Sequence, residues 1–248
     1  MRQQYSYGID VNTLDKFIDA PTPKNKAWGK SNLIVDLPEY RLESFAISAG
    51  GQLSFKPKNG FESTIFVEEG EIKVDKISVR NRSVITLKPK TSYKIKAEQK
   101  SVVFVFSGPI SKKTKKGEYE KVRPTFDVRD KYWGKIESIV SKDYSGKRME
   151  VNTGKSASLE FHCHKLESYF IHSGRLLLRL KAGRGEDRFF ELKEGSLTIT
   201  PPGLMHQRGG LQNTVIIEIA TKDEDSDSYL VEDGARIEMP TLKERLKN

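Results

Sequence analysis

The chain has 248 residues, of which 36% are hydrophobic and 31% charged, and this composition predicts a soluble globular protein with room for two domains. Its formal net charge of +9 would suit nucleic acid or small acidic ligands, but we find no helix-turn-helix, RNP-like or zinc-finger motif, so we expect no nucleic-acid partner. No apolar run approaches the roughly 20 residues that span a bilayer, so we expect no membrane partner. The first residues lack the apolar core of a secretory signal, and a single cysteine excludes an internal disulfide framework, so we expect a cytoplasmic protein.

The sequence contains two copies of one pattern. The dipeptide Trp28-Gly29 recurs as Trp133-Gly134, and these are the only two tryptophans. The blocks that follow match in the same order in the first and second copy: 40–50 and 144–154, 61–70 and 165–174, 83–95 and 196–208, and 101–108 and 214–221. Five blocks in the same order indicate an internal duplication.

Each copy consists of short candidate strands. Runs such as LLLRL, FFEL, LTIT and VIIEIA are rich in aliphatic, aromatic and β-branched residues, and glycine or charged turns bound them. Many such strands with almost no helical periodicity predict a sandwich or barrel in each copy. We expect short helices only at residues 11–18, capped by Asn12 or Thr13, and at residues 241–248.

A basic segment, KKTKKGEYEKVR, lies between the two copies. Its glycine and two glutamates favour a solvated linker over a nucleic-acid patch. The sequence therefore predicts an all-β chain with an N-terminal barrel at residues 1–111, a linker at 112–123 and a C-terminal barrel at 124–248.

Histidines and a carboxylate are concentrated in the second copy, in the segment FHCHKLESYFIHSG. His162 and His164 are two residues apart, so on a strand they would project from one face, while Cys163 would be a small buried residue on the other. Glu167 follows closely, and the segment TITPPGLMHQ supplies His206. Three imidazoles and one carboxylate suit zinc, iron, manganese or nickel. We therefore predict that His162, His164, Glu167 and His206 bind a divalent transition metal and leave open positions for water or substrate.

The first copy keeps the turns and apolar residues of this segment but not the ligands. The four matching positions hold Lys58, Gly60, Ser63 (or Glu62 after a slip of one residue) and Tyr93. We therefore expect no metal in the first barrel. Its expected role is structural, either to cover the sheet of the second barrel or to form a subunit interface.

These motifs resemble those of the cupin superfamily, and the duplication makes the chain similar to a bicupin. The first cupin motif is matched by Gly154, His162, His164, Glu167 and Gly174, and the second by the PPG turn with His206. The resemblance spans residues 28–236 and is strong only in the second copy. It implies two tandem double-stranded β-helix (jelly-roll) barrels with few short helices.

The gap of two residues between His164 and Glu167 is shorter than in many cupins and is similar to that of cupin-type mannose-6-phosphate isomerases. The lead-in with Lys147 and the acidic exit before Arg236 resemble these enzymes too. Gly234-Ala235 replaces the Tyr-Gly that precedes the arginine in that family. The resemblance implies that Lys147 and Arg236 lie near the substrate.

We therefore expect a metal-dependent enzyme that isomerises a sugar or sugar phosphate between aldose and ketose through a metal-stabilised enediolate. Glu167 and Lys147 are the predicted catalytic groups, and Lys147 and Arg236 the predicted anchors for a phosphate or carboxylate of the substrate. Two alternatives stay open, because one fold hosts many chemistries. They are a non-catalytic cupin that binds a sugar or another small ligand, and a non-haem iron oxygenase. Cupins commonly pair through edge strands, so the resemblance also implies a possible homodimer.

Overall fold

The computed structural model describes residues 9–110 and 116–236, except for the side chains of Val11, Lys116 and Arg236. The predicted helix at 241–248 and residues 112–115 of the predicted linker lie outside the described residues. Among the described residues, no helix is both long enough and apolar enough to pass through a membrane.

The described chain is built from short antiparallel strands. Its first half contains β1 (Ile18–Asp19), β2 (Lys24–Lys26), β3 (Gly29–Asp36), β4 (Arg41–Ile47), β5 (Gln52–Phe55), β6 (Phe61–Glu69), β7 (Glu71–Val74), β8 (Ile77–Arg80), β9 (Ser83–Leu87), β10 (Tyr93–Ala97) and β11 (Ser101–Pro109). Its second half contains β12 (Val122–Pro124), β13 (Phe126–Lys131), β14 (Gly134–Ser141), β15 (Tyr144–Val151), β16 (Leu159–Phe161), β17 (Glu167–Ser173), β18 (Arg175–Lys181), β19 (Arg188–Lys193), β20 (Leu197–Thr200), β21 (Met205–Gly210), β22 (Thr214–Thr221) and β23 (Tyr229–Glu232).

Within the described residues, helical structure is confined to short 3₁₀ segments. They lie at Val11–Phe17, Lys116–Glu118, Asp225–Asp227 and Gly234–Arg236. The first of them coincides with the predicted N-terminal helix, but the predicted cap at Asn12 or Thr13 is wrong. Asp10 is the cap, because its Oδ1 accepts the backbone N–H of Asn12 at 2.9 Å.

The strands form two barrels of two sheets each. In the first barrel the strand orders are β12-β9-β6-β11-β4-β3-β2 and β5-β10-β7-β8. In the second they are β1-β20-β17-β22-β15-β14-β13 and β19-β18-β21-β16-β23. The two larger sheets repeat the same order of equivalent strands, which agrees with the duplication read from the sequence. Two facing antiparallel sheets in each copy confirm the predicted all-β, double jelly-roll architecture.

The leading strand of each copy crosses to the other barrel. β1 precedes the first barrel but pairs with β20 of the second, through Ile18 and Thr198. β12 precedes the second barrel but pairs with β9 of the first. The predicted domain boundaries stay a prediction, and this reciprocal exchange runs across them.

Alternate residues of the central strands face two different cores, as the period of a strand requires. Ile65 of β6 lies in the apolar interior of the first barrel, whereas Phe66 lies in a core shared by the two barrels. Likewise Ile171 of β17 faces the interior of the second barrel and Phe170 faces the shared core. The large sheets of the two barrels therefore pack against each other, and the first barrel covers one side of the second.

Polar side chains tie the barrels together at the edges of this shared core. The buried hydroxyl groups of Tyr40 and Ser168 lie 2.8 Å apart. Arg148 on β15 donates through Nε to both carboxylate oxygens of Glu68 on β6, each at 2.9 Å. A buried charge pair of this kind disfavours separation of the barrels, because either partner alone would keep an uncompensated charge.

Candidate metal centre

His162 and His164 do not lie on one strand. β16 ends at Phe161 and β17 begins at Glu167, so His162, Cys163 and His164 form a bend between them. The prediction that both imidazoles project from one strand face is therefore wrong. The side chain of His164 is exposed and does not belong to the group of residues that could hold a metal ion. Cys163 is also exposed, whereas the sequence predicted it to be buried.

Asp227 holds this bend in place. Its carboxylate accepts the backbone N–H groups of Cys163 at 2.8 Å, His164 at 3.0 Å and Lys165 at 2.9 Å. Although desolvation opposes ionisation, these three hydrogen bonds lower the pKa of Asp227. Three successive N–H groups that converge on one carboxylate impose a turn at the positions where the sequence pattern predicted a strand.

A different set of three residues brings its ligand atoms together. One ligand atom each of Glu160, His162 and His206 lies within 4.8 Å of the other two. Glu160 on β16 is the cross-strand partner of His206 on β21, and His162 follows Glu160 by two residues. The structure thus joins the predicted ligands His162 and His206 with Glu160, which we did not predict.

The orientation of both imidazoles fits a metal. Nδ1 of His162 lies 2.8 Å from the backbone oxygen of Asp227, and Nδ1 of His206 lies 3.2 Å from that of Leu204. A carbonyl oxygen can only accept, so each Nδ1 carries the proton and donates it. Each Nε2 is then turned towards the carboxylates, which is the usual support for a metal-binding histidine. Two imidazole nitrogens and a carboxylate oxygen suit a divalent transition metal and do not select one among zinc, iron, manganese and nickel.

Glu167, the predicted carboxylate ligand, is fully buried beside this group. Its Oε1 lies 2.7 Å from Nε2 of His206, and its Oε2 lies 3.7 Å from Nε2 of His162. Lys165 forms an ion pair with Oε2 at 2.7 Å, and the hydroxyl of Tyr169 donates to Oε1 at 2.5 Å. Burial opposes the charged carboxylate, but Lys165 and His206 hold the pKa of Glu167 well below its usual range.

Arg208 links the unpredicted carboxylate to the tyrosine. Its guanidinium donates to Oε1 of Glu160 at 2.8 Å and to the hydroxyl of Tyr169. It also lies over the ring of Trp133, with its central carbon 5.6 Å from the ring centroid. Burial opposes ionisation of Glu160, and the charge of Arg208 lowers its pKa nevertheless. Both carboxylates next to the histidines are therefore held in the ionised form that a metal ligand needs.

A row of alternating charges continues from Glu167 along the barrel wall. Besides Glu167, Nζ of Lys165 contacts Glu218 at 2.9 Å and Asp223 at 3.1 Å. Lys147, the predicted substrate and catalytic lysine, is the cross-strand partner of Glu218 and lies 2.6 Å from Asp223. The two lysines overcome the effect of partial burial and lower the pKa of Asp223 to about 2.

Most of these groups line one cavity of about 410 Å³ in the second barrel, whereas Glu167 and His206 are fully buried and are not among its lining residues. Its lining includes the catalytic and ligand candidates Glu160, His162, Lys165, Tyr169, Arg208 and Lys147, together with the basic residues Arg129 and Lys131. The volume falls within the range of about 300–1,000 Å³ that is usual for small-molecule sites. Arg236, the other predicted substrate anchor, belongs to the segment Gly234–Arg236, and its side chain lies outside the described residues.

Sequence analysis missed Glu160, Lys165, Tyr169 and Arg208. The signal that could have found three of them is the two-residue period of a strand. Each lies two residues from a predicted ligand, in the pairs Glu160 and His162, Glu167 and Tyr169, and His206 and Arg208. Lys165 lies in the bend, where no such period applies.

The matching positions of the first barrel are used differently. Lys58 forms an ion pair with Asp36 at 2.7 Å, and the buried Tyr93 donates its hydroxyl to Oε1 of Glu120 at 2.9 Å. An apolar core that includes Phe45 and Ile95 occupies the interior of this barrel. The first barrel therefore keeps the frame of the repeat with other side-chain contacts at the ligand positions.

Comparison with known proteins rests on structure alone, since no protein-family model and no curated protein matches the sequence. The fold is similar to that of an oxalate decarboxylase from Lactobacillus farciminis, with 10% identity, 87% of this chain and 88% of that chain covered, and a TM-score of 0.66. An IolB-like protein from Salmonella typhimurium LT2 shows 13% identity, coverage of 87% and 96%, and a TM-score of 0.68. AerE from Microcystis aeruginosa shows 14% identity, coverage of 84% and 100%, and a TM-score of 0.64. Likeness at such identities establishes the fold and leaves the activity to the site itself. The chain therefore has the two-barrel cupin fold, with a candidate metal centre in its second barrel.

Proposed function

We propose that the second barrel is a metal-dependent active site that isomerises a sugar or sugar phosphate between its aldose and ketose forms. The observation that carries the proposal is the grouping of Glu160, His162 and His206, beside the buried carboxylate Glu167. Glu160 and His162 line the cavity, and His206 and Glu167 lie fully buried behind them. A divalent metal held there would supply Lewis-acid polarisation of the carbonyl and hydroxyl oxygens of the substrate.

The reaction requires a group that takes a proton from one carbon and returns it to the next. Glu167 is the candidate for this role because its carboxylate lies 2.7 Å from Nε2 of His206 and 3.7 Å from Nε2 of His162. Its low pKa keeps it ionised but makes it a weak base, so substrate binding would have to loosen its contact with Lys165. Tyr169 and Arg208 orient it: the tyrosine donates to Oε1 of Glu167, and the guanidinium holds the tyrosine hydroxyl. We assign the proton transfer to Glu167 and the positioning of its carboxylate to Tyr169 and Arg208.

The cavity lining carries equal numbers of basic and acidic side chains. They are Arg129, Lys131, Lys147, Lys165 and Arg208, and Glu160, Glu218, Asp223, Glu224 and Asp225. Lys131 forms no ion pair within the described residues, so it is the lining cation left for an anionic group of the substrate. The place of Lys147 on this wall supports a substrate-binding role, while its catalytic role and the binding role of Arg236 stay predictions. The motif that resembles cupin-type mannose-6-phosphate isomerases makes mannose 6-phosphate and fructose 6-phosphate the first substrates to try. Homodimerisation and a cytoplasmic location stay predictions too.

A second candidate function, binding without turnover, is favoured by one observation. Each of three acidic residues at the site already has a cationic partner: Glu160 pairs with Arg208, Glu167 with Lys165, and Asp223 with Lys147. Carboxylates that are already paired with cations suit a rigid binding site, because these three carboxylates are held in the ionised form.

The two functions differ in the effect of a single variant. The protein is reconstituted separately with zinc, iron, manganese and nickel, its metal content is measured, and free and phosphorylated sugars are followed by NMR in deuterated water. An isomerase interconverts an aldose and a ketose with uptake of deuterium. In that case Glu167→Gln abolishes turnover, while His164→Ala, at an exposed position, keeps it.

Sugar binding without turnover, unaffected by Glu167→Gln, would establish the binder instead. Oxygen uptake with iron alone would support the oxygenase alternative, and metal-loaded protein that converts no sugar would end the isomerase proposal.

A further inference from the structure

A second cavity, of about 870 Å³, lies between the two barrels and shares no lining residue with the candidate metal centre. Its floor is one face of the large sheet of the first barrel. Asn32 of β3 pairs with Ser44 of β4, and Ser44 pairs in turn with Phe104 of β11, so these three side chains form one row across the sheet. Lys30 and Ala46 form the next row.

A change of polarity along this face explains why the barrels separate here. One step further along β4 and β11, the paired residues Leu42 and Phe106 are buried in the core shared by the two barrels. From Asn32 and Ser44 onward, β3 and β4 carry polar or small side chains on this face, while Phe104 and Val102 of β11 still pack in the shared core. The cleft therefore opens over β3 and β4, beside the edge of that core.

Asn32 is the strongest sign that the cleft holds a ligand. Its side chain is only 6% exposed, and its Oδ1 has no hydrogen-bond partner in the part of the chain that the structure describes. A buried amide oxygen without a donor destabilises a protein, so native structures rarely keep one. A hydroxyl or N–H group of a bound molecule would satisfy it.

The charged side chains that line the cleft indicate the charge of the bound molecule. Lys26, Lys30 and Lys100 line the cleft and are exposed, and none of them forms an ion pair within the described residues. Glu194, from the second barrel, is the carboxylate that faces them among the lining residues. The excess of positive charge favours an anion.

Part of the cleft lining is apolar and aromatic. Phe104, Val102 and Phe170 contribute to it, and the ring of His172 meets Phe104 edge to face with centroids 5.3 Å apart. His172 is the one histidine of the sequence that lies outside the predicted ligand set. Its position places it in this cleft and not at the metal centre.

We infer that the cleft between the barrels binds a compact organic anion that carries a hydroxyl group. The anionic group lies among Lys26, Lys30 and Lys100, the hydroxyl donates to Oδ1 of Asn32, and the carbon skeleton packs on the partly exposed Val102 and His172. A hydroxylated aromatic acid and a sugar phosphate share this chemistry, and they are the two sources that the experiment distinguishes.

The test is a titration of the full-length, isotope-labelled protein with 4-hydroxybenzoate, benzoate and fructose 6-phosphate, followed by NMR chemical shifts. Asn32→Leu removes the acceptor, keeps the side-chain volume and leaves no buried polar atom, so this variant should fold at least as well as the natural protein. We expect it to weaken 4-hydroxybenzoate or fructose 6-phosphate binding roughly 3- to 10-fold, the effect of one lost hydrogen bond. Benzoate, which has no hydroxyl, should bind both proteins equally. The exposed substitution Lys30→Met should weaken all bound anions.

Three results would overturn the inference. The first is no shift at the cleft with either hydroxylated probe at millimolar concentration. The second is equal affinity of a hydroxylated probe for the natural protein and Asn32→Leu. The third is binding that is lost in His206→Ala and kept in Asn32→Leu, which would assign the probe to the metal centre and leave the proposed isomerase untouched.

Discussion

The ammonium nitrogen of Lys165 lies 2.7 Å from Oε2 of Glu167, and both side chains are buried beneath the cavity of the second barrel. The same ammonium group contacts Glu218 and Asp223, so one cation compensates three carboxylates. Burial disfavours a charged lysine, but Glu167 and Glu218 raise the pKa of Lys165 well above its usual value. Lys165 therefore stays charged, and the acidic group depends on that charge.

Replacing Lys165 by methionine should destabilise the metal-free protein by about 3–5 kcal/mol, because Glu167 is left as a buried charge without its partner. Urea unfolding monitored by circular dichroism measures the loss. Adding Glu167→Gln to Lys165→Met should restore part of the stability, since it removes the uncompensated charge. Lys193→Met, at an exposed position on β19, is the matched control and should change stability by less than about 0.5 kcal/mol. A double variant no more stable than Lys165→Met would contradict this explanation.

His206 and His164 should differ sharply in metal binding. His206→Ala removes a ligand atom of the group that could hold the metal. Loss of a residue that only supports a ligand lowers metal affinity roughly 10- to 100-fold, so loss of His206 itself should lower the affinity for zinc or manganese by more than that. His164→Ala removes an exposed side chain and should leave the affinity within about a factor of three. Isothermal titration of the two variants with the same metal decides the matter. Comparable losses in both would favour the ligand set predicted from the sequence over the group Glu160, His162 and His206.

The fold could be predicted because its signals are local and repeated. Runs of β-branched and aromatic residues, turns at Gly70 and Gly174 and the recurrence of Trp-Gly each report on one short segment, and the duplication repeats them. The exchange of β1 and β12 between the barrels could not be predicted. Each is a strand of two or three residues, and only tertiary pairing with β20 or β9 defines it.

The site was predicted in part for the same reason. Glu167 and His206 lie on strands of the second barrel, and His162 directly follows β16, whose Glu160 pairs with His206. His164 does not join them, because the carboxylate of Asp227, some sixty residues further along the chain, captures the N–H groups of the bend. A contact between residues so far apart in the sequence cannot be read from the local pattern around His162 and His164.

Asp227→Ala should release this bend. Three backbone N–H groups lose their acceptor, so the protein should lose about 1–3 kcal/mol of stability, the cost of unsatisfied donors that are only partly exposed. Metal affinity should fall by about 10- to 100-fold, since the bend that positions His162 is no longer held. Asp225→Ala, at an exposed position in the same 3₁₀ segment, is the control and should leave both quantities unchanged. Normal metal affinity in Asp227→Ala would show that β16 alone positions His162.

Asp223 should make the protein lose stability in acid. Its pKa is about 2 in the folded protein against an ordinary value of 3.8, because the charges of Lys165 and Lys147 outweigh the effect of burial. A lowered pKa means that the folded state binds this proton less readily than the unfolded state does. The stabilisation is therefore complete above about pH 4 and is lost as the pH falls towards 2, and it amounts to about 2 kcal/mol.

Urea unfolding between pH 5 and pH 2.5, reported as the free energy of unfolding, should show a smaller acid-induced loss for Asp223→Asn than for the natural protein. Asp225→Asn, which removes an exposed carboxylate nearby, should follow the curve of the natural protein. Parallel curves for Asp223→Asn and the natural protein would mean that the two lysines do not hold Asp223 in its ionised form.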